Sequence, residues 1–298
     1  VSSTGVTWTP EQVRAWRDQR YRRKPHLKVR TPQEALAFVE DVGFCFLFPA
    51  RKVEMPSLWE AICGGSRPLP VHHDDRELGY AWNWKDDLPT RGLVFYGKLL
   101  RRKPMLVSLT LLPHFYALSE NYGELDDYLA EYADGKLSEE AKRVYEALLE
   151  NGALPTSHLR RRAGLAGKGN ARRFDRAILE LQLGLKIVKT GISDANAWKY
   201  CYVYDLLLRR WPNLPGQAAA ISTPEAMRCL LLTYLSNVGV ARVHDLARLF
   251  AWEPGQLVEL CDTLAATGEL LVGVDVQGVG GDYVASMEFL SSVSSPSP

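Results

Sequence analysis

Apolar residues in the C-terminal half recur first at helical and then at strand spacing, and the sequence of intervals runs twice. Ala141, Val144, Tyr145, Leu148 and Leu149 fall three and four apart, the interval that lines one face of an α-helix. Ser138 stands at the N-cap position, Glu139 and Glu140 occupy the first turn where the helix dipole favours acids, and Asn151-Gly152 supplies a stop. Pro155-Thr156-Ser157 opens a short second helix around Leu159. A turn from Gly164 to Gly169 leads to a third helix predicted over 170–183, with Phe174, Ala177, Ile178 and Leu181 inward. Strands over 185–189 and 198–204, joined through Gly191 and Asp194, complete the set. The order then returns: helices over 224–237, 243–250 and 254–267, and strands over 270–276 and 283–286 around Gly278, Gly280 and Gly281. Asn237 with Gly239 stops the first of these helices, and Gly268 stops the last. Three helices followed by a two-stranded hairpin is the winged-helix order, and two copies are far harder to obtain by chance than one.

The N-terminal half is patterned differently. Thr9-Pro10-Glu11 starts a helix expected to be exposed, with Trp16 and Tyr21 among its arginines. Thr31-Pro32-Gln33-Glu34 is a helix start in which Thr31 caps and Glu34 completes a capping box. The apolar stretch 42–49 must be buried, and Pro56 to Ile62 reads as a short helix. The expected fold class is mainly α with small β-hairpins (α+β), tandem winged-helix units packed with an N-terminal helical or winged-helix-like domain. The expected divisions are a basic helical arm (1–30), an aromatic-rich domain that would hold any catalysis (31–136), winged helices at 137–212 and 222–287, and a disordered Ser/Pro-rich tail (288–298).

Composition narrows the classes. A 298-residue chain that is 46% hydrophobic and 24% charged can build two or three small cores. No apolar run reaches the ~18 residues of a membrane span, and the first ten residues lack a secretory pattern. A cytoplasmic monomer is expected. The five cysteines are scattered without CxxC spacing, so free thiols are expected rather than zinc ligands or disulfides. A net charge of +1 argues against a histone-like protein, but the charge is unevenly placed. Basic residues crowd 20–30, 101–103 and 160–176. Arg22, Arg23, Lys24, Lys98, Arg101, Arg102, Arg160, Arg161, Lys168, Arg172, Arg173 and Arg176 are the candidate phosphate contacts. The third helix of the first winged helix carries Arg172, Arg173 and Arg176 and suits a DNA groove. Its counterpart carries Glu253, Glu259 and Asp262 with no lysine or arginine, and is read as architectural. Double-stranded DNA is the expected partner. No nucleotide fingerprint or hydrolase elbow is present.

The segments "VGFCFLFP", "PSLWEAI" and "WKDDLP", followed by "AKRVYEALLENGALPTSHLRRRAGL" with "ILELQLGLKIVKTG" and by "LLTYLSNVGVARVHDLARLFAW" with "LAATGELL", resemble the AlkZ/YcaQ-like DNA glycosylases. The likeness runs from about Pro32 to Ser286. It implies tandem winged helices around a DNA channel and hydrolysis of N-glycosidic bonds of bulky alkylated purines and interstrand crosslinks, without a cofactor. One departure is plain. That family's signature is Gln-x-Gln or Gln-x-Asp after the glycine ending an early helix, and the positions counted from Gly43 are Phe46 and Phe48. Neither side chain activates water.

Breaking an N-glycosidic bond calls for a carboxylate that stabilises a cationic sugar and positions water, and for aromatic walls around a base flipped from the stack. One stretch offers both: Val71-His72-His73-Asp74-Asp75 and Trp82-Asn83-Trp84-Lys85-Asp86-Asp87. On an extended segment Trp82 and Trp84 would face one side. Asp86 is the preferred carboxylate, with Asp74, Asp75 and Glu54 behind it. Trp82, Trp84, His72, His73, Tyr96, Tyr116 and Asn121 are the candidate base-pocket residues. Lys98 is in principle an amine able to form a Schiff base with an abasic sugar, but a lysine in such a run is far more often a phosphate contact or solvated. The plainer alternative is a polar loop with two core tryptophans. Adjacent ligands on a strand point oppositely, so no metal is expected at His72 to Asp75. The function expected is excision of a bulky modified base, either an alkylation adduct or a hypermodified phage base removed in anti-phage defence. The alternatives are a non-catalytic winged-helix DNA-binding regulator and a protein-interaction scaffold.

Overall fold

The structure is a computed structural model, and it describes residues 6–72, 74–119 and 121–294. Along the chain, β1 (Thr7–Trp8) and α1 (Pro10–Arg20) precede α2 (Pro32–Val42), β2 (Phe44–Phe46), α3 (Leu58–Cys63), α4 (Arg76–Thr90), β3 (Val94–Gly97) and β4 (Met105–Ser108). Two short helices, α5 (Leu112–Ala117) and α6 (Asp127–Ala133), lead to α7 (Glu139–Asn151), β5 (Leu154–Pro155), α8 (Thr156–Arg162), α9 (Ala171–Leu183), β6 (Ile187–Ser193) and β7 (Cys201–Leu206). After α10 (Leu207–Arg210) and α11 (Leu214–Ala219) come α12 (Thr223–Val238), β8 (Val240–Arg242), α13 (Val243–Phe250), α14 (Pro254–Ala266), β9 (Leu270–Val276), β10 (Val279–Ser286) and α15 (Met287–Ser294). The order helix, strand, helix, helix, hairpin thus occurs three times, starting at α2, α7 and α12. We refer to these as the first, middle and last modules. Mixed helices and small sheets make the fold α+β.

Two compact units divide the described residues: 6–81 with 224–294, and 82–223. The basic arm lies in the same unit as the last module, and the boundary between the units falls inside α4.

In the unit of 82–223, α7, α8 and α9 bury Val144, Leu148, Leu159, Phe174, Ile178 and Leu181 against Ile187 and Leu206 of the sheet. That sheet runs β5-β7-β6, with β7 antiparallel to both neighbours. Ser138 caps α7 as expected, its Oγ accepting from Ala141 N at 3.2 Å. The hairpin starts and ends about two residues later than its expected strands, because Leu185, at φ +51°, turns the chain before it extends.

In the other unit, β1 lies parallel to β9 and extends the sheet β1-β9-β10-β8. Trp8 and Val13 are buried against Val240, Val274 and Phe289, with the Trp8 and Phe289 rings 4.8 Å apart. The helix expected to be exposed is therefore half-integrated. Its Arg17 Nε and Nη2 donate to the Val238 and Val240 carbonyls at 2.9 Å, and Tyr21 at its end is fully buried. Gly239 sits at φ +76°, and a Cβ there would lie 2.9 Å from the Trp16 ring, so glycine is required by both conformation and space.

Three local expectations change. The reciprocal capping box forms at Thr9 with Gln12, whereas the Glu34 carboxylate accepts from Arg30 N at 2.7 Å instead of returning to Thr31. Asn237 does not stop α12. It lies buried within it, and its Nδ2 donates at 2.8 Å to Val42 O and to Thr233 O. The tail expected to be disordered is helical through Ser294, anchored by buried Phe289, while 295–298 lie outside the described residues.

Candidate functional site

Helix α4 is preceded by Asp75, whose Oδ1 accepts from Leu78 N at 2.9 Å and caps the first turn. Leu78, Ala81, Lys85 and Leu88 then fall on one buried stripe at helical spacing, with a lysine in a core position. Residues two apart on a helix lie about 200° apart around its axis. Trp82 is accordingly 39% exposed and Trp84 only 5%, so the shared face expected for an extended segment does not exist.

Lys85 is fully buried, and its Nζ folds onto the next carboxylate, 2.7 Å from Asp86 Oδ1. A second lysine arrives from β6. Lys189 Nζ donates to the same Asp86 Oδ1 and, at 3.1 Å, to Lys85 O. A register shift between Lys189 and Gly191 interrupts the β6–β7 ladder immediately beyond it, the kind of irregularity that re-aims a strand side chain. The remaining carboxylate oxygen, Asp86 Oδ2, accepts from Tyr200 Oη at 2.8 Å, and that phenol accepts from Lys85 Nζ at 2.6 Å. Asn196 fixes the turn that presents Tyr200: its Oδ1 accepts from Trp198 N and Tyr200 N at 3.1 and 3.0 Å, and its Nδ2 donates to Tyr200 O at 2.6 Å.

Two ammonium groups thus share one carboxylate, leaving a formal surplus of one positive charge. Aromatic faces offset part of the cost of burying it. Lys85 Nζ lies 4.6, 5.3 and 5.1 Å from the ring centroids of Trp82, Tyr200 and Tyr202. Lys189 Nζ lies 4.9 and 4.4 Å from those of Tyr96 and Tyr202. Burial raises the Asp86 carboxyl, but the hydrogen bonds from Lys189 and Lys85 outweigh it and hold the group below the usual carboxylate range. Burial lowers Lys189 to about 8: the Asp86 hydrogen bond pulls the other way, and the Lys85 charge adds to the fall. The two partners of this ion pair therefore do not shift as mirror images, because a second cation sits on the same carboxylate. Burial also raises the Tyr96 and Tyr200 phenols, which stay protonated donors at neutral pH.

The expected residues are only partly gathered here. Asp86, Trp82 and Tyr96 meet in this cluster. Lys85, Lys189, Tyr200 and Tyr202 complete it and were not anticipated. Tyr200, Tyr202 and Tyr204 alternate along "KYCYVYDL", a period-two aromatic row that signals one face of a strand. Tyr116 is buried, its carbonyl accepting from Ser119 Oγ at 2.6 Å, and Asn121 donates to Gly184 O at 2.8 Å and accepts from Lys186, so both act as local ties. Asp75 caps α4 and pairs with Arg67, Asp74 and His72 are exposed, and His73 lies outside the described residues. Glu54 is held by Arg17 at 3.1 Å and by Arg23 at 3.8 Å. Three or more histidine, cysteine or acidic side chains arranged to hold a metal are not found among the described residues.

The candidate phosphate contacts separate likewise. Arg161, Lys168, Arg172 and Arg176 are exposed on α8, its following turn and α9. Arg173 is exposed but donates to Glu140 Oε1 at 2.6 Å, and Arg160 donates to Gly167 O at 3.2 Å with its guanidinium over Phe174. Arg101 and Arg102 occupy left-handed turn positions between β3 and β4, with half-exposed Lys98 just before them. Arg23 is internal, stacked on Tyr21 and bonded to Glu60 Oε2 at 3.0 Å, while Lys24 Nζ donates to Gln19. Arg22 shares Asp41 with Arg20. Among the described residues no helix is long and apolar enough to cross a membrane, and none of the five cysteines is in a disulfide.

Comparison with known proteins adds three findings. A search of curated proteins finds no match. Among solved structures, the chain is similar to the Streptomyces sahachiroi DNA glycosylase AlkZ, with 18% sequence identity and a TM-score of 0.60 over 98% of this chain and 74% of that one. At that identity the likeness speaks for the fold. The sequence model of the family described as AlkZ related matches residues 29–251, three quarters of the chain, and by that match this chain belongs to the AlkZ-related family.

Proposed function

We propose that this protein binds double-stranded DNA through winged-helix modules and excises a bulky modified base, with Asp86 as the reactive carboxylate. The observation that carries the reading is the state of Asp86: a carboxylate kept ionised by two lysines, bordered by the partly exposed rings of Trp82 and Tyr200. An ionised carboxylate beside aromatic surfaces suits a flipped base and a sugar that becomes cationic as the base departs. Asp86 Oδ1 is saturated by the two ammonium groups, whereas Oδ2 has one neutral partner. Displacing the Tyr200 phenol frees Oδ2 to orient water. Trp198, 88% exposed in the β6–β7 turn two residues before Tyr200, adds a stacking surface on the same hairpin. The exposed basic residues of α8 and α9 supply backbone contacts. Substrates in this reading are alkylated or crosslinked bases of the cell's own DNA, or hypermodified bases of phage DNA.

A second reading, a DNA-binding protein without excision, is favoured by one observation. Phe46 is fully buried in β2, its amide bonded to Pro56 O at 2.9 Å, and Phe48 packs 6.2 Å from the Trp59 ring. The positions where the family resemblance places glutamines thus carry apolar packing. One experiment separates the two. Duplexes bearing alkylated purines, a crosslink or phage-derived hypermodified bases are incubated with the protein and heated in alkali. Strand breaks with the wild type that vanish in Asp86→Asn support excision through Asp86. Tight binding of every duplex with no abasic site in any establishes the second reading.

A further inference from the structure

The N-terminal unit holds a cavity of about 460 Å³ where the end of α1, the turn over 21–30 and α2 meet. Arg20, Arg22, Lys28 and Arg30 face Glu34 and Asp41 around it, four cations against two carboxylates. The internal pairings leave much of that charge unused. Asp41 is shared, lying 3.6 Å from Arg20 Nη1 and 3.9 Å from Arg22 Nη2, both longer than the ~2.8 Å of a charge-assisted hydrogen bond. Arg20 Nε is buried and has no hydrogen-bond partner among the described residues. Glu34 is committed to the Arg30 amide, and Lys28 to Glu77 at 2.7 Å. The Arg30 side chain is exposed and makes no ion pair among the described residues. Arg22 stands at φ +57°, a conformation that glycine or asparagine adopts with less strain, and its guanidinium lies over the Phe38 ring at 5.3 Å.

The lining also limits the ligand. Gln19, His26 and Leu27 complete it, with no indole or phenol to stack on a base. Recognition here is by charge and hydrogen bonds, the chemistry of a phosphate.

We propose that this cavity seats a phosphodiester of the DNA backbone, whose oxygens take donors of Arg20, Arg22 and Arg30 and compete with Asp41 for the first two. The proposal rests on the DNA-binding reading above and is independent of whether Asp86 excises a base. It assigns the N-terminal basic segment a positioning role, fixing duplex register without reading sequence.

Opposite charge changes test it. Affinity for one unmodified duplex is measured by fluorescence anisotropy across a salt series, for the wild type, Arg22→Gln with Arg30→Gln, and Asp41→Asn. Each phosphate contact contributes about 0.9 to the slope of log affinity against log salt, so the double variant loses roughly 2 units of slope. Asp41→Asn, which removes the competing carboxylate, tightens binding about fivefold, the equivalent of ~1 kcal/mol for one exposed pair. An unchanged slope in the double variant overturns the proposal. So does unchanged binding by Asp41→Asn, which would mean that Asp41 does not compete, or weaker binding, which would make it scaffolding for the arginines. Inorganic phosphate at constant ionic strength supplies the remaining arm. If it raises the melting temperature of the wild type but not of the double variant, while the DNA slopes stay equal, the occupant is free phosphate and the backbone assignment is wrong. A wild type that binds no duplex at any salt overturns this proposal and the functional reading together, whereas base excision with an unaltered slope overturns this proposal alone.

Discussion

The middle and last modules share an order of elements and differ in nearly everything polar. In the middle module α9 presents Arg172, Arg173 and Arg176, and the hairpin that follows carries Lys189 and the Tyr200–Tyr202–Tyr204 row. In the last module α14 has no basic residue, Glu253 caps its start, and the free edge of β9 is taken by β1. The last hairpin is thereby built into a four-stranded sheet with the N-terminal segment packed against it. Apolar spacing sets the order of elements in both. Polar decoration determines whether the result leaves its cations exposed or ties down its own chain. The middle module spends polar groups on exposed cations and a charged buried cluster, while the last spends them on caps and on holding α1.

The comparison breaks most sharply at Asp86. Asp86→Asn should abolish excision, a loss on the order of 10²–10⁴-fold for a catalytic proton-transfer or charge-stabilising group. It should also lower stability by about 3–5 kcal/mol, because two buried ammonium groups lose their shared partner. Chemical denaturation reports the second effect separately. A variant that keeps its stability and its activity would show the cluster to be neither site nor support.

Next in size is DNA affinity. Arg172→Ala with Arg176→Ala should flatten the salt dependence by roughly 2 units of slope, whereas Glu259→Gln with Asp262→Asn on the last module's α14 should leave it unchanged. Equal slopes in all three proteins would erase the distinction between the modules.

The pH dependence of stability sharpens it further. Folded Lys189 releases its proton near pH 8, while an unfolded lysine holds its proton to about 10.4. Between those values the unfolded chain binds more protons, so this group makes stability rise with pH, by at most about 1.4 kcal/mol per unit. Subtracting the unfolding profile of Lys189→Met should isolate that rise. A flat difference between pH 8 and 10 would mean that Lys189 stays charged.

Smallest are the caps. Ser138→Ala should cost about 1–2 kcal/mol, since Ser138 Oγ both caps α7 and donates to Glu180 Oε2 at 2.6 Å. Glu253→Ala, an exposed cap in the last module, should cost about 0.5 kcal/mol in urea unfolding.

Repeated elements were readable because one apolar face per helix must be buried, and 144, 148, 174, 178 and 181 show that face as spacing alone. Helix α4 was not readable. Its stripe at 78, 81, 85 and 88 contains a lysine where a helix normally buries an apolar side chain, and a flanking Trp-x-Trp imitates strand alternation. The same lysine hid the cluster. Lys85 and Asp86 carry no sign that Lys189 and Tyr200, more than a hundred residues on, will meet them. Asp86, Trp82 and Tyr96 were singled out as residue types suited to the proposed chemistry, without their partners.

Local interactions therefore account for the helices, their caps, the hairpins and the placement of basic residues on α9, because each depends on neighbours within a few positions. Packing alone produced the docking of β1 on β9, the burial of Tyr21, and the meeting of two lysines on one carboxylate. Trp82, Lys85 and Asp86 share one helix, but the second ammonium group and the faces of Tyr96, Tyr200 and Tyr202 that make the surplus charge tolerable come from distant segments, and no stretch of this chain contains all of them.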